Sequence, residues 1–459
     1  MNDIHSIKGG IMNTKLDFIN GNTKECLISM TIPMIVAMFL NMAYNLVDSL
    51  WIGNLLGEQA YAALTNSTPI ILLLTSIAMG ATNGISILLS QAIGAKNDLK
   101  KEQIISTSFY VAIIFSIFVT ILLEVFLEPI LVMLNTPNEI FEMAKNYLSI
   151  YILGYVAVYL YLYFTAILRS FGNTMFQAVA MLISTILNAI LDPIFIKTIG
   201  FHGASIATLS SQIVCLFFMF IYISKKKLFR FSLTNFNKAQ IYPIIKNSIP
   251  AVIQQSIPAI STTFLTALIS TYGISAIAGY GVTGKLETIL FYPAMALNMV
   301  LTSIVGQCIG GSRFDRANDY LRLALKYGIS ILAVLSFLII LFSKQLSALF
   351  VNSNNVAGIV NSYFMIVSIG YILYTITSCY MGTLNGIGKP IKSMVLMIFY
   401  YIVIRIPLSY IFSFLNMGLT GIWTAILISH IIACIATILI SNQSFRNLRS
   451  LTNHETKKS

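Results

Sequence analysis

The 459-residue sequence predicts an all-α polytopic membrane protein, with twelve transmembrane helices arranged as two parallel six-helix repeats. Three observations carry this. The chain is 57% hydrophobic and only 10% charged, with mean hydropathy +0.82, far too little charge to cover a water-soluble protein of this length. Apolar stretches long enough to cross a bilayer, roughly 20 residues each, recur twelve times. The sequence also repeats itself: "SMTIPMIVAM" (29–38) resembles "KNSIPAVIQQ" (246–255), "NLLGEQAYAAL" (54–64) resembles "STYGISAIAGY" (270–280), and "SQAIGAKNDLK" (90–100) resembles "GQCIGGSRFDR" (306–316), at an offset of 216 or 217. The offset becomes 218 where "GFHGASIAT" (200–208) meets "GLTGIWTAI" (418–426). An even number of helices per copy inserts both copies with the same orientation, an architecture of secondary transporters whose bundles rock about a site between them.

In order along the chain, residues 1–26 are polar and mixed in charge, with no apolar core of the kind a signal peptide needs, and read as a cytoplasmic tail. The first bundle, 27–223, holds spans at about 28–52, 62–90, 105–127, 146–168, 175–196 and 204–223. A basic cytoplasmic linker, 224–246, follows with Lys225, Lys226, Lys227 and Arg230. The second bundle, 247–440, holds spans at about 248–271, 280–307, 326–343, 361–384, 393–415 and 419–440, and 441–459 is a second cytoplasmic tail.

With the N-terminus in the cytoplasm, 23 of the 28 lysines and arginines fall on that side, Lys8, Lys96, Lys100, Lys101, Arg313, Arg316 and Lys457 among them, against Lys145, Lys197, Lys285 and Lys344 outside. This bias follows the positive-inside rule, puts both termini in the cytoplasm and the protein in the plasma membrane, and explains the +12 net charge without nucleic acid. The five cysteines include no C-x-x-C pair, and the four histidines are scattered. Neither a disulfide framework nor a cysteine–histidine metal site is indicated, and no H-E-x-x-H, G-x-S-x-G or nucleotide-binding G-x-x-x-x-G-K-[ST] occurs. No cofactor is expected, and an embedded enzyme, the alternative from another class, finds no nucleophile or ligand set.

Few carboxylates lie within spans: Asp48 in the first, Glu124 near the outer end of the third, Asp192 in the fifth and Glu287 early in the eighth. A carboxylate at the bilayer centre costs roughly 2.5–3.5 kcal/mol even on the lenient insertion scale, so it needs a partner and a cavity. In "NAILDP", Asn188 and Asp192 are four residues apart and share a helix face. Pro193 frees the carbonyl of Ala189 and bends the helix, grouping carboxylate, amide and carbonyl oxygens that suit a hard cation such as Na⁺. Asp48 and Asp192 then share an exchangeable proton or Na⁺ across the first bundle, or else serve as hydrogen-bonding glue between helices. Arg405, in "YYIVIRIPLSY", is either the counter-ion of an acid across the cleft or a snorkelling residue near the outer surface. Glu287 either pairs with Lys285 at the interface or gates the outer mouth, and Gln254 and Gln255 are candidates to line the cavity.

The G-Q-x-x-G elements ("QAIG" from Gln91, "QCIG" from Gln307), "YNLVDSLWIG…LG", "LRSFGNT" and "LNAILDPIF…GFHGASIAT" together resemble the multidrug and toxin extrusion (MATE) family, across roughly residues 25–440. The resemblance implies an antiporter expelling amphipathic, often cationic, organic molecules in exchange for Na⁺ or H⁺, acting as a monomer in the lipid bilayer. It is closest to the archaeal and DinF-like pattern, in which an Asp of helix 1, an Asn and an Asp four apart on helix 5 and a Thr of helix 6 form the coupling site. The matching residues are Asp48, Asn188, Asp192 and Thr208. NorM-like members also use acids in helices 7 and 10, which 248–271 and 361–384 lack, so coupling is expected in the first half alone. A lipid-linked oligosaccharide flippase is the alternative within transport, but its cavity calls for several arginines where this sequence offers Arg169, in a loop motif, and Arg405.

Overall fold

The computed structural model describes residues 16–134, 136–226, 233–351 and 353–455, with no strand among them. Lys8, Lys227, Arg230 and Lys457, with most of the first tail and part of the linker, lie outside the described residues. The first half comprises α1 (Thr23–Leu56), α2 (Glu58–Gly94), α3 (Asp98–Met133), α4 (Asn138–Leu153), α5 (Tyr155–Ser170), α6 (Met175–Ile199) and α7 (Phe201–Lys226). The second comprises α8 (Ile241–Ser270), α9 (Ile274–Gly310), α10 (Phe314–Ala348), α11 (Asn354–Gly386), α12 (Pro390–Ile398), a π-helical segment (Phe399–Arg405), α13 (Ile406–Phe414) and α14 (Gly418–Glu455). Among the described residues, eleven helical segments have the length and hydropathy of a span, and the bent pair α4–α5 makes a twelfth.

Two spans are less regular than their hydropathy suggests. The fourth breaks between α4 and α5 with a 48° bend. There a Cβ on Gly154 would meet Leu209 of α7 at 2.0 Å, so the break lies where a neighbouring side chain crowds the backbone. The eleventh widens into the π-segment just before Pro407, which cannot donate a backbone hydrogen bond. The boundary expected at 440 falls inside α14, where Ser441 and Ser444 are still buried.

The two halves touch most intimately at the face where the α2–α3 and α9–α10 turns lie. Small residues spaced four apart let helices of the two halves approach at backbone distance. A Cβ on Gly80 or Gly84 of α2 would meet α8 backbone at Val252 or Ser248 at 2.4 Å. A Cβ on Gly94 would sit 1.9 Å from the Gln307 carbonyl oxygen, and one on Gly310 would sit 2.0 Å from that of Gln91. The hydrogen bonds repeat the pattern: Gln91 Nε2 donates to the Gly386 carbonyl (2.9 Å), Gln307 Nε2 donates to the Ser170 carbonyl (2.6 Å), and Ser86 meets Ser303 at 3.2 Å. The duplicated G-Q-x-x-G elements are thus a reciprocal clasp.

The segment before α1 crosses this same face. Phe18 is buried in a cluster made mostly of second-half side chains, and its carbonyl accepts from Arg316 Nε (3.0 Å) and the Tyr320 hydroxyl (3.2 Å). Residues 16–22 are therefore seated on the second half. The first half of α1 follows them, with Leu27, Met30, Met34 and Met38 in that cluster. Farther along, Tyr44 and Asp48 turn into the first half.

Candidate functional site

Three helices build a polar site inside the first bundle. From α1 comes Asp48, from α6 Asn188 and Asp192, and from α7 Thr208, all buried. The four-residue spacing on α6 works as the sequence suggests, since Asn188 Nδ2 donates to Asp192 Oδ1 at 2.9 Å. The carboxyls of Asp48 and Asp192 are neighbours inside the first bundle.

One buried oxygen on each of the four residues has no hydrogen-bond partner: Asp48 Oδ1, Asn188 Oδ1, Asp192 Oδ2 and Thr208 Oγ1. Each buried unsatisfied group costs about 1–3 kcal/mol. Such a collection, two of its members carboxylates, is what a hard cation or a shared proton satisfies. Among the described residues no three His, Cys, Asp or Glu side chains gather as a metal cluster, so the amide and hydroxyl oxygens have to complete the donor set.

Sequence reasoning missed the hydroxyls that continue the site. The Tyr44 hydroxyl lies 3.0 Å from Ser211 Oγ and donates to the Thr208 carbonyl at 3.2 Å, and Ser184 Oγ reaches Ser211 at 3.5 Å. The signal was present, because Tyr44 precedes Asp48 by four residues and Ser184 precedes Asn188 by four, placing each one turn away on the same helix face.

The structure corrects three expectations, two of them in the second half. Glu287 does not pair with Lys285: the Lys285 ammonium lies over the Phe350 ring at 5.3 Å, while Tyr363 and Tyr371 of α11 both donate to Glu287 Oε1. Arg405 neither crosses the cleft nor snorkels. It is 7% exposed, donates to Ser429 (3.0 Å), Tyr400 (2.7 Å) and His430 (3.2 Å) in its own bundle, and packs on the Tyr400 and Tyr401 rings at 4.8 and 4.4 Å. Arg169 is no loop residue but a fully buried one in the last turn of α5, donating to Asn83 Oδ1 at 3.3 Å. Gln254 and Gln255 of α8 border a pocket in the second half together with residues of α9, α11 and α12. None of the four residues of the first-half site is among that pocket's lining residues.

Two parallel bundles clasped at one face, with an under-satisfied carboxylate pair in one of them, define an integral membrane protein of the secondary-transporter class. The chain belongs to the MatE family, whose model matches it twice, at residues 33–194 and 250–411. It is 25% identical over 405 residues to the "Probable multidrug resistance protein YoeA" of Bacillus subtilis (strain 168), covering 85% of this chain and 88% of that one. It is 28% identical over 427 residues to the same organism's "Probable multidrug resistance protein YpnP", covering 92% and 96%. Its fold matches the "Outward-facing conformation of a multidrug resistance MATE family transporter of the MOP superfamily" with TM-score 0.90 at 24% identity, over 95% of this chain and 99% of the other.

Proposed function

We propose that this protein is a secondary active antiporter that exports amphipathic organic cations and other xenobiotics, driven by inward movement of Na⁺ or H⁺ through the first bundle. The observation that carries the reading is the set of four unpartnered oxygens on Asp48, Asn188, Asp192 and Thr208. The names of the relatives and the family membership support the exported class. In this reading the protein is a monomer in the plasma membrane with both termini cytoplasmic, the side favoured by the lysine and arginine bias. The clasped face is then the cytoplasmic one, and the conformer is closed to the cytoplasm.

Binding of a cation biases the equilibrium only if one conformer holds it more tightly than the other. The four oxygens supply that difference, provided they are satisfied in one conformer and dispersed or hydrated in the other. Right-side-out vesicles preloaded with a fluorescent organic cation test the reading. Dye release on a Na⁺ pulse or on an acid pulse identifies the ion, and Asp48→Asn abolishes that release while the protein still inserts and folds. Full ion-driven release by a well-expressed Asp48→Asn protein refutes the site.

A further inference from the structure

Residues 16–22 form a compact strap ahead of α1. Asp17 Oδ1 accepts from the N–H groups of Ile19 (2.9 Å) and Asn20 (3.0 Å), and the Gly21 N–H donates to the Asp17 carbonyl (2.8 Å), so the turn holds its own shape. The second half supplies the strap's outside hydrogen bonds. Besides Arg316 Nε and the Tyr320 hydroxyl on the Phe18 carbonyl, Arg316 donates to the Gly21 carbonyl and Arg313 donates to Asn20 Oδ1 (3.3 Å). The first half supplies a catch. A Cβ on Gly172, in the turn between α5 and α6, would lie 3.0 Å from the Phe18 ring and 3.6 Å from Leu16, so the ring is seated on bare backbone of the first half. Ile19 sits at the clasp itself: a Cβ on Gly311 would lie 2.7 Å from Ile19 Cδ1 and 3.2 Å from the Gly94 carbonyl oxygen.

The duplication supplies a comparison. Residues 233–240, ahead of α8, dock on α3, where the Asn237 N–H donates to Thr107 Oγ1 (3.0 Å), Asn235 Nδ2 donates to Glu102 Oε2 (3.0 Å) and Phe236 meets the Tyr110 ring edge-on at 6.0 Å. At Gly388, the counterpart of Gly172, the nearest atoms to a Cβ belong to Gln91 and not to a ring of that segment. The repeat therefore does not by itself demand a strap caught on both halves. We propose that residues 16–22 are a latch across the two halves: hydrogen-bonded to the second, with the Phe18 ring caught on Gly172 of the first, they hold this face shut and release the catch as it opens. Contacts made in one conformer and lost in the other weight the equilibrium toward the first. That opening this face admits cytoplasmic substrate rests on the efflux reading; that the strap holds it shut does not.

The purified full-length protein, with neither gradient nor substrate, tests it. Ser303 is buried against Ser86 of the other half, so Ser303→Cys is alkylated by a water-soluble maleimide as the face opens, at a rate set by the population of the opened form, and site-resolved mass spectrometry separates it from the five native cysteines. Phe18→Ala raises that rate about three- to tenfold, the share of a ring's burial that one neighbour provides. Tyr320→Phe removes one donor from the Phe18 carbonyl while leaving the core filled, and raises the rate about two- to tenfold, so the latch is read even where Phe18→Ala fails to fold. Phe236→Ala, in the strap's counterpart, leaves the rate unchanged. An unchanged rate in Tyr320→Phe, and in Phe18→Ala where that protein folds, overturns the latch; so does an equal rise in Phe236→Ala, which would make loosening either segment sufficient. Ion-driven dye release from right-side-out vesicles reports separately: its absence in the native protein, with these rates as expected, sinks the efflux reading and spares the latch, and unchanged rates with release intact do the reverse.

Discussion

Gly94→Ala is expected to open the clasped face without touching the carboxylate site. The new Cβ would sit 1.9 Å from the Gln307 carbonyl oxygen, whereas ordinary contact begins at about 3.4 Å, so the two backbones must part by roughly 1.5 Å. Neither backbone has a flexible side-chain end to yield, and the adjoining Gln91–Gly386 and Gln307–Ser170 hydrogen bonds resist the separation. Overpacking of this kind costs about 1–3 kcal/mol, which lowers the ratio of clasped to unclasped protein about 5- to 150-fold. The penalty falls on the clasped conformer, and separation of the two halves relieves it by moving Gly94 away from the Gln307 carbonyl. Spin labels at Lys100→Cys on α3 and Arg322→Cys on α10, both exposed, report the separation of the two halves by pulsed dipolar spectroscopy, and the five native cysteines are all buried. Gly281→Ala is the control, since a Cβ there meets nothing within 4 Å. An unchanged distance distribution in Gly94→Ala refutes the clasp.

Three further outcomes follow from the geometry. Asp192→Asn should abolish ion-driven dye release from right-side-out vesicles, whereas Asn188→Ala should only weaken it, because that substitution removes one neutral oxygen and leaves both carboxylates; a more damaged Asn188→Ala protein reverses the roles. Arg405→Met should lower the melting temperature in detergent, since it strips the donors from Ser429, Tyr400 and His430 at about 1–3 kcal/mol for each group left unsatisfied; an unchanged melt makes the cluster dispensable. Arg316→Ala removes the donors that hold the carbonyls of Phe18 and Gly21, and should speed proteolysis within residues 16–22 with the helices still protected; equal cleavage rates show that the segment is held by other contacts.

The number of spans and the duplication were legible because both are properties of composition and spacing. Roughly twenty apolar residues are needed to cross the bilayer whatever they pack against, and the two family matches, beginning at residues 33 and 250, repeat the offset read from the motifs. Asn188 and Asp192 were legible for the same reason, their hydrogen bond being local to one helix. Glu287 was misread because its partners, Tyr363 and Tyr371, lie 76 and 84 residues away on α11, while Lys285 is two positions off and points to a different side of the helix. Tertiary neighbours of that kind leave no mark on local spacing. Arg169 was misplaced by a different error: its motif continues into a turn, but the residue itself belongs to the last buried turn of α5.

The clasp and the carboxylate site answer to opposite symmetries. Gln91 and Gln307, Gly94 and Gly310, and Ser86 and Ser303 each make reciprocal contacts, so opening the face breaks matched sets of bonds in the two halves and no half is favoured. A device built that way sets how much energy separates two conformers but gives no reason for an ion to choose between them. The choice has to come from a feature that one half has and the other lacks, and the unpartnered oxygens of Asp48, Asn188, Asp192 and Thr208 are such a feature. The second half holds Glu287 instead, already supplied with two tyrosine donors and therefore under less pressure to gain a cation. Helix α1 joins the two arrangements physically: Met30, Met34 and Met38 are seated among second-half side chains, and Asp48, ten residues beyond Met38, faces α6 and α7. Any shift of α1 that follows a change in occupancy at Asp48 therefore pulls on a helix whose other end is packed into the opposite half, so an asymmetric charge acts on a symmetric clasp.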